Sequence, residues 1–256
     1  MFHFKKSLGQ NFLRNDSIIE KAVRIANVDG CEILEMGPGK GALTKFLVNK
    51  AQKVVLVEKD ERLIEELQNK FHDVEIFNED FLKWDISKYI TRAKFVSNIP
   101  YNITGPIIEK LLSNRDIITE AHMIIQKEVA QRIVAKPGDK NRSLFSVIVQ
   151  MFANPKIGFY VSRNSFYPVP DVDSAFISLY FNNKKRDDKI VNMVKLMFAN
   201  KRKQVINNLS CLASKKDLEN IFRSLKLNPK LRAEDLSIND IEMLGEILKD
   251  KIKWLF

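Results

Sequence analysis

Residues 31–44, CEILEMGPGKGALT, join a short apolar run to a glycine-rich turn and to the start of a helical pattern. The apolar centre of this stretch is typical of a strand that is buried on both faces of a parallel sheet. Gly37, Gly39 and Gly41 allow backbone angles that other residues resist, and they let a ligand approach the main chain closely. A strand, a glycine turn and a helix in this order predict a nucleotide-like ligand at the end of the first strand.

Apolar runs recur beyond this stretch, and helical spacing of apolar residues appears between them. Together with residues 31–37, the predicted strands are 53–60, 73–80, 94–101, 121–128, 157–161 and 175–181. Strands that alternate with helices are typical of a mostly parallel sheet with helices on both faces. The sequence therefore predicts an α/β fold with a Rossmann-like sheet of seven strands.

A polar, charged segment at 182–189, NNKKRDDK, has no apolar periodicity and interrupts the pattern. Amphipathic helical spacing follows it at 194–198, 205–209, 218–225 and 241–248. We therefore predict a Rossmann-like domain at residues 1–181 and a small, all-helical domain at residues 182–256.

The composition excludes several classes of protein. Of the 256 residues, 45% are hydrophobic and 29% are charged, which is typical of a globular chain and excludes wholesale disorder. The sequence contains neither an apolar stretch of membrane-spanning length nor a secretory leader, so we expect a cytosolic protein without a membrane partner. The two cysteines, Cys31 and Cys211, and the three histidines are scattered, so we expect no disulfide scaffold and no metal site.

The formal net charge is +10, and the excess lies near the carboxyl end of the chain. Residues 182–256 carry 17 basic and 10 acidic side chains. A polyanion such as a nucleic acid is the partner that this charge favours, although a basic surface that only keeps the chain soluble remains an alternative. The residues that we expect to bind phosphates are Lys184, Lys185, Arg186, Lys201, Arg202 and Lys203.

Two carboxylates follow the next predicted strands. Glu58 ends the second strand 21 residues after Gly37, where a carboxylate can accept hydrogen bonds from both ribose hydroxyls of a nucleotide. Asp80 ends the third strand, where it can accept a hydrogen bond from an adenine amine. A nicotinamide oxidoreductase stays open at this point, because Gly37, Gly39 and Ala42 loosely match the dinucleotide fingerprint.

The fourth predicted strand ends in Asn98-Ile99-Pro100-Tyr101, which favours methylation of a planar amine. An adenine amino nitrogen is a poor nucleophile because its lone pair is delocalised into the ring. The Asn98 side-chain oxygen and the Ile99 carbonyl, held by Pro100, can accept both amino hydrogens and favour a pyramidal nitrogen. Tyr101 can stack on the face of the base.

The chain resembles the ribosomal RNA adenine dimethyltransferases, which are S-adenosylmethionine-dependent enzymes of the seven-stranded Rossmann-like class. The resemblance covers nearly the whole sequence. The segments that carry it are KKSLGQNFL (5–13), EMGPGKGALT (35–44), SNIPYNI (97–103), SFYPVPDVDSA (165–175) and FANKRKQVINNL (198–209).

The resemblance implies S-adenosyl-L-methionine as the cofactor and assigns residues to it. Asn11 and Leu13 would touch its methionine and adenosine parts, and Gly37 would pack beneath it. Glu58 would hold the ribose, and Asp80 would meet the adenine amine.

The resemblance also implies the geometry of the target site. Asn98 would lie between the cofactor and the target base, as part of the cofactor site and of the catalytic site. Phe166 would face Tyr101 across the flipped base and close a stacking clamp.

Most of the matching segments look like the branch of the family that acts on the small ribosomal subunit. That branch implies a monomer that dimethylates N6 of two adjacent adenines in the 3′-terminal hairpin of 16S rRNA. Ile99 is instead typical of the large-subunit 23S rRNA methyltransferases of the macrolide-resistance type, which keeps that target open. A third reading is a small-subunit assembly factor whose binding matters more than its catalysis.

Overall fold

The structure, a computed structural model, describes residues 11–182, 184–185 and 187–252. Its internal contacts divide it into two compact units. Unit 1 contains residues 11–130 and 153–182, and unit 2 contains residues 131–152 and the described residues from 184 onward. No helix among the described residues is long and apolar enough to span a lipid bilayer.

Unit 1 contains every strand that the structure describes. The strands are β1 (Phe12–Leu13), β2 (Glu32–Met36), β3 (Lys53–Val57), β4 (Glu75–Phe77), β5 (Ala93–Asn98), β6 (Ile118–Gln126), β7 (Ala153–Val161), β8 (Phe166–Tyr167) and β9 (Ser174–Phe181). The main sheet has seven strands in the order β4-β3-β2-β5-β6-β9-β7. Neighbours from β4 to β6 are parallel, and β9 is antiparallel to both β6 and β7. The predicted seven-stranded, mostly parallel sheet is confirmed.

The helices are α1 (Asp16–Ala26), α2 (Thr44–Leu47), α3 (Ile64–Lys70), α4 (Thr104–Ser113), α5 (Lys127–Ile133), α6 (Leu144–Phe152), α7 (Asp188–Met197), α8 (Val205–Asn208), α9 (Lys215–Ser224) and α10 (Ile238–Leu248). The last four correspond to the amphipathic stretches of the sequence. The division between the units falls within α5.

The strand order determines where a ligand can bind. β2 lies between β3 and β5, so the chain leaves β2 toward one side of the sheet and later returns to its other side. In open α/β sheets, ligands bind in the crevice at the carboxyl ends of strands where the order reverses in this way. The ends of β2 and β5 carry the predicted glycine turn and Asn98, which places both at this crevice.

A second, two-stranded sheet and α1 were not predicted from the sequence. β1 and β8 pair antiparallel and form a short ribbon, in which Phe12 is opposite Tyr167 and Leu13 is opposite Phe166. The N-terminus of α1 is capped by Asn15, whose side chain accepts a hydrogen bond from the Ile18 amide.

Residues 131–152 are assigned differently by sequence and structure. The sequence prediction places them in the first domain, whereas in the structure they belong to unit 2. Arg142 shows what holds this segment: its fully buried guanidinium donates to the carbonyls of Ala135 and Leu236 and to Gln150. An amphipathic helix such as α6 does not reveal from its own pattern which core it completes.

Candidate active site

One pocket of unit 1 lies at the carboxyl edge of the sheet and contacts most of the predicted site residues. Its lining includes Asn11, Phe12, Leu13, Glu35, Gly37, Gly39, Glu58, Asp80, Asn98, Ile99, Pro100 and Tyr101. The ribbon, the glycine turn after β2 and the ends of β3 and β5 therefore meet around one space. No cluster of histidine, cysteine, aspartate or glutamate suited to a metal ion occurs among the described residues.

The glycine turn provides a close backbone approach. Gly37 and Gly39 have φ angles of 63° and 59°, in the left-handed region that favours glycine. A Cβ atom at Gly39 would lie 2.3 Å from Cε1 of Phe12, so a side chain there would displace the ribbon. The Gly39 amide donates to Glu58 Oε2 over 3.1 Å, which connects the turn to the end of β3.

Glu58 is buried, and the backbone holds its carboxylate in place. Its Oε1 accepts from the Asp60 amide at 2.8 Å, and its Oε2 accepts from Gly39. Burial raises the pKa of Glu58, while these backbone hydrogen bonds oppose the shift. Each carboxylate oxygen has a second acceptor position, so Glu58 retains capacity for the hydroxyls of a ribose.

Glu35 is a pocket residue that the sequence analysis missed. Its side chain is 2% exposed, and Oε2 accepts a 2.7 Å hydrogen bond from the Thr44 hydroxyl. Burial raises the pKa of Glu35 to about 8, with a smaller contribution from the charge of Glu58. A charged residue within the apolar strand EILEM was the sequence feature that could have identified it. With this pKa Glu35 is mostly protonated at pH 7, and a positively charged ligand in the pocket would favour its ionised form.

Asp80 lies in the pocket as predicted, but it already has a partner. Lys59 Nζ is 2.8 Å from Asp80 Oδ2, and the Leu82 amide donates to Oδ1 at 3.0 Å. The Lys59 ammonium holds the pKa of Asp80 below its usual range. A ligand amine at Asp80 would share the carboxylate with Lys59.

The two ends of the Asn98 amide have different environments. Nδ2 donates to the Asn11 carbonyl over 2.9 Å, which fixes the orientation of the amide. Oδ1 is buried and has no hydrogen-bond partner among the described residues. A buried acceptor without a partner is unfavourable, so this atom indicates a ligand that donates a hydrogen bond.

Tyr101 follows Asn98 on the wall of the same pocket, which also reaches the glycine turn. The hydroxyl shares a 2.6 Å hydrogen bond with the Ser174 hydroxyl, and burial raises the pKa of the phenol. The ring is half-buried rather than enclosed in the core. Its position is compatible with stacking against a base in the pocket.

The position of Phe166 does not fit the expected clamp. The side chain is 2% exposed, packs in a core cluster with Leu13 and Ile19, and does not line the pocket. The reason is the pairing of β8 with β1, which turns Phe166 inward and leaves its neighbour Tyr167 45% exposed. In the structure Phe166 has a core role beside Leu13 and Ile19, and its part in a clamp stays a prediction.

Three of the predicted phosphate-binding residues form a compact exposed turn in unit 2, at 201–203. Lys201 Nζ donates to the carbonyl of Lys140 over 2.7 Å, which connects this turn to an exposed loop at 136–141. That loop carries two further exposed lysines, Lys136 and Lys140, which were not among the predicted phosphate-binding residues.

The other three predicted phosphate-binding residues precede α7. Lys184 forms a 2.6 Å ion pair with Glu242, and Lys185 is exposed. Arg186 lies outside the described residues.

Comparisons of sequence and comparisons of fold both match this chain to methyltransferases that act on ribosomal RNA. The model of the family described as ribosomal RNA adenine dimethylase matches residues 1–250. A protein of Fusobacterium nucleatum subsp. nucleatum named ribosomal RNA small subunit methyltransferase A is 41% identical, over 98% of this chain and 99% of its own length. A protein of the same name from Francisella tularensis subsp. novicida is 39% identical, over 95% and 97% of the two chains.

Two solved structures are similar over almost the whole chain. A dimethyladenosine transferase from Plasmodium falciparum superposes with a TM-score of 0.82 at 27% identity, covering 94% of this chain and 98% of that one. The 23S rRNA methyltransferase ErmE superposes with a TM-score of 0.77 at 27% identity, covering 93% and 99%. The match to the family over nearly the full length, together with the identity to its members, shows that the chain belongs to the ribosomal RNA adenine dimethylase family.

Proposed function

We propose that the protein transfers methyl groups from S-adenosylmethionine to N6 of two adjacent adenines in the 3′-terminal hairpin of 16S rRNA. Family membership makes the chain an rRNA adenine methyltransferase. The relatives at 39–41% identity are named for the small subunit, which supports 16S rRNA over the 23S alternative. The observation that carries the proposal is the buried Oδ1 of Asn98, which has no hydrogen-bond partner among the described residues and lies on the same pocket as the glycine turn.

The pocket fits the proposed cofactor in shape and charge. S-adenosylmethionine, when bound, supplies a methyl group attached to a positively charged sulfur. Gly37 and Gly39 leave the backbone open to it, and Glu58 accepts hydrogen bonds from its ribose. The buried carboxylate of Glu58 offsets its positive charge, and that charge in turn favours ionisation of Glu35.

Three predicted residues complete the proposed cofactor site. Asn11 and Leu13 of the ribbon line the pocket beside the glycine turn. Asp80 lies on the same pocket, where it accepts from the adenine amine of the cofactor while it remains paired with Lys59.

Asn98 and Ile99 prepare the target nitrogen. Oδ1 of Asn98 and the main-chain carbonyl of Ile99 accept the two amino hydrogens of a flipped adenine, which favours a pyramidal nitrogen with an available lone pair. The hydrogen bond from Asn98 Nδ2 to Asn11 keeps Oδ1 directed at the base. Tyr101 stacks on the ring and holds it in place.

A strong base is unnecessary, because the alkylated nitrogen is acidic and its proton leaves to water after transfer. The second methylation requires that the pocket admit a monomethylated amine beside Asn98. Both transfers use the same two acceptors. In the second round the monomethylated amine has one hydrogen instead of two.

The basic residues of unit 2 support RNA binding. Lys201, Arg202 and Lys203 are exposed together, and Lys185 is exposed before α7. We assign phosphate contacts to these four residues, to Lys184 and to Arg186, with salt-dependent affinity and little sequence choice. The proposed RNA-binding domain is residues 182–256 together with 131–152, acting as a cytosolic monomer on the small ribosomal subunit.

Mass spectrometry of methylated RNA tests this function. Purified protein is incubated with labelled S-adenosylmethionine and with either unmethylated small subunits or deproteinised 23S rRNA, and nuclease digests are sequenced by mass. We expect two adjacent N6-dimethyladenines in the terminal hairpin of 16S rRNA. Label confined to 23S rRNA, or no dimethyladenine in either RNA, would contradict the proposal.

A further inference from the structure

The β1–β8 ribbon presents different side chains on its two faces. Residues directly opposite each other in an antiparallel pair share a face. Leu13 and Phe166 are opposite each other and are buried in the core. Phe12 and Tyr167 therefore share the other face. Leu13 lines the pocket as well as Phe12, so the active site borders both faces of the ribbon, including the face of Phe12 and Tyr167.

Tyr167 and Arg14 form an exposed pair at the edge of that face. The guanidinium carbon of Arg14 lies 3.9 Å from the centroid of the Tyr167 ring. The tyrosine is 45% exposed, and Arg14 is exposed as well. A tyrosine ring beside a guanidinium is the combination that stacks unpaired nucleobases in proteins that bind single-stranded RNA, and the cation also attracts the adjoining phosphate.

Both strands of the ribbon are connected to the target-base site. On the side of β1, the Asn11 carbonyl accepts from Asn98 Nδ2 at 2.9 Å. On the side of β8, the chain continues from Tyr167 to Ser174, whose hydroxyl bonds to that of Tyr101. The exposed pair thus lies on an element whose β1 side is hydrogen-bonded through Asn11 to Asn98, one of the residues proposed to hold the flipped adenine.

We propose that Arg14 and Tyr167 form a stacking subsite for the nucleobase next to the adenine that is being methylated. This subsite rests on the proposed function, in which an adenine leaves its stack and its neighbour loses a stacking partner. The exposed ring of Tyr167 replaces that partner, and Arg14 neutralises the phosphate between the two nucleotides. With two adjacent target adenines, the subsite holds one of them while the other occupies the pocket.

Fluorescence of 2-aminopurine tests the subsite directly, because stacking on an aromatic side chain quenches it. The probe RNA is the 16S terminal hairpin with 2-aminopurine in place of the adenine next to the target, bound in the presence of S-adenosylhomocysteine. We expect quenching with the wild type and with Tyr167→Phe, which keeps the ring, and loss of quenching with Tyr167→Ala. Arg14→Glu, which keeps the tyrosine, is expected to reduce the affinity for the probe.

Kinetics with unmethylated small subunits separate this role from a structural one. For Tyr167→Ala we expect KM for the small subunit to rise about 10-fold with kcat within twofold of the wild type. Affinity for S-adenosylhomocysteine and the thermal midpoint should stay unchanged. Tyr160→Ala is the matched control, since Tyr160 is also exposed and lies near Lys127 but belongs to β7 and does not line the pocket.

The subsite is refuted if Tyr167→Ala quenches the probe like the wild type and retains its KM. Normal methylation by the wild type in the same assay would then leave the proposed function intact. Absence of methylation by the wild type would overturn both proposals. If Tyr167→Ala fails to fold, Arg14→Glu serves as the test. Wild-type affinity for the probe and wild-type quenching with this variant would refute the subsite.

Discussion

Asn98 combines a fixed donor and an unused acceptor in one amide. Its Nδ2 is held by the Asn11 carbonyl, so the amide cannot rotate to give Oδ1 another partner without losing that bond. An unsatisfied buried acceptor of this kind costs about 1–3 kcal/mol. A base whose amine donates to Oδ1 removes this cost. Part of the free energy of binding the target therefore comes from the hydrogen bond made by the reacting nitrogen.

Glu35 makes the stability of the protein depend on pH. With its pKa at about 8 in the folded chain, against about 4.5 when unfolded, folding takes up a proton between these values. The free energy of unfolding contributed by this group therefore falls as pH rises from about 4.5 to about 8. We expect Glu35→Gln, which keeps an acceptor for Thr44, to remove this decrease.

Urea unfolding of the ligand-free protein at several pH values measures the effect. Glu35→Gln should gain stability relative to the wild type as pH rises from about 5 to about 8. Glu65→Gln is the control, because Glu65 is exposed on α3 and its replacement should leave the pH profile as it is. If the free energies of unfolding of Glu35→Gln and the wild type differ by the same amount at every pH, the pKa of Glu35 is not raised.

At the scale of elements, the contact between Phe12 of the ribbon and Gly39 of the glycine turn links β1 to the cofactor site. Gly39→Ala places a Cβ atom against the Phe12 ring at a backbone angle that already disfavours alanine. We expect the ribbon to shift away from the turn and affinity for S-adenosylhomocysteine, measured by calorimetry, to fall at least 10-fold. The contact thus couples cofactor binding to the position of β1.

Gly30→Ala is the matched control for this effect. Gly30 has a φ angle of 68°, but a Cβ atom there meets nothing within 4 Å. The variant should lose about 1–2 kcal/mol of stability from the left-handed backbone and keep its cofactor affinity. If Gly39→Ala and the wild type bind S-adenosylhomocysteine with equal affinity, the Phe12 contact does not position the cofactor.

The elements differ in how far the sequence predicts them. The central strands β2, β3 and β5 were predictable because each is an apolar run, and parallel strands buried on both faces require such runs. The ribbon was not, because strands of two residues have no periodicity and their pairing joins residues far apart in sequence. For α1 the information was present, in the Asn15 cap and the apolar spacing of Ile19, Ala22 and Val23.

The same limits apply to the site. Glu58, Asp80 and Asn98 each follow a parallel strand, so their meeting at one edge of the sheet was predictable from the order of elements. Whether Phe166 or Tyr167 faces outward depends on the register of β8 with β1, which local sequence does not contain. The contact between Arg14 and Tyr167 was missed for the same reason.

At the scale of the whole molecule, the positive charge concentrates in the carboxyl-terminal part, which supplies most of unit 2. If Lys201 and Lys203 bind phosphates of the RNA backbone, the affinity for RNA falls as the salt concentration rises. The slope of this dependence reports the number of phosphate contacts. We expect Lys201→Ala/Lys203→Ala to reduce the slope of log K against log salt by about two, with equal loss of affinity for unrelated hairpins.

Lys215→Ala/Lys216→Ala removes the same charge from the exposed start of α9. This control should change the slope by less than one when small-subunit binding is followed by filtration at several salt concentrations. Equal slopes for the two double variants would show that net charge, rather than the turn at 201–203, binds the RNA.

The central claim is that Asn98 prepares the target nitrogen, and the single-turnover rate of methyl transfer with Asn98→Ala tests it most directly. Small subunits and labelled S-adenosylmethionine are used at saturation, with Asn69→Ala as the control because Asn69 is exposed on α3 and does not line the pocket. We predict that Asn98→Ala is at least about 100-fold slower than the wild type while binding of the small subunit stays within twofold, and that Asn69→Ala is nearly normal. Methyl transfer by Asn98→Ala at the wild-type rate would contradict the account.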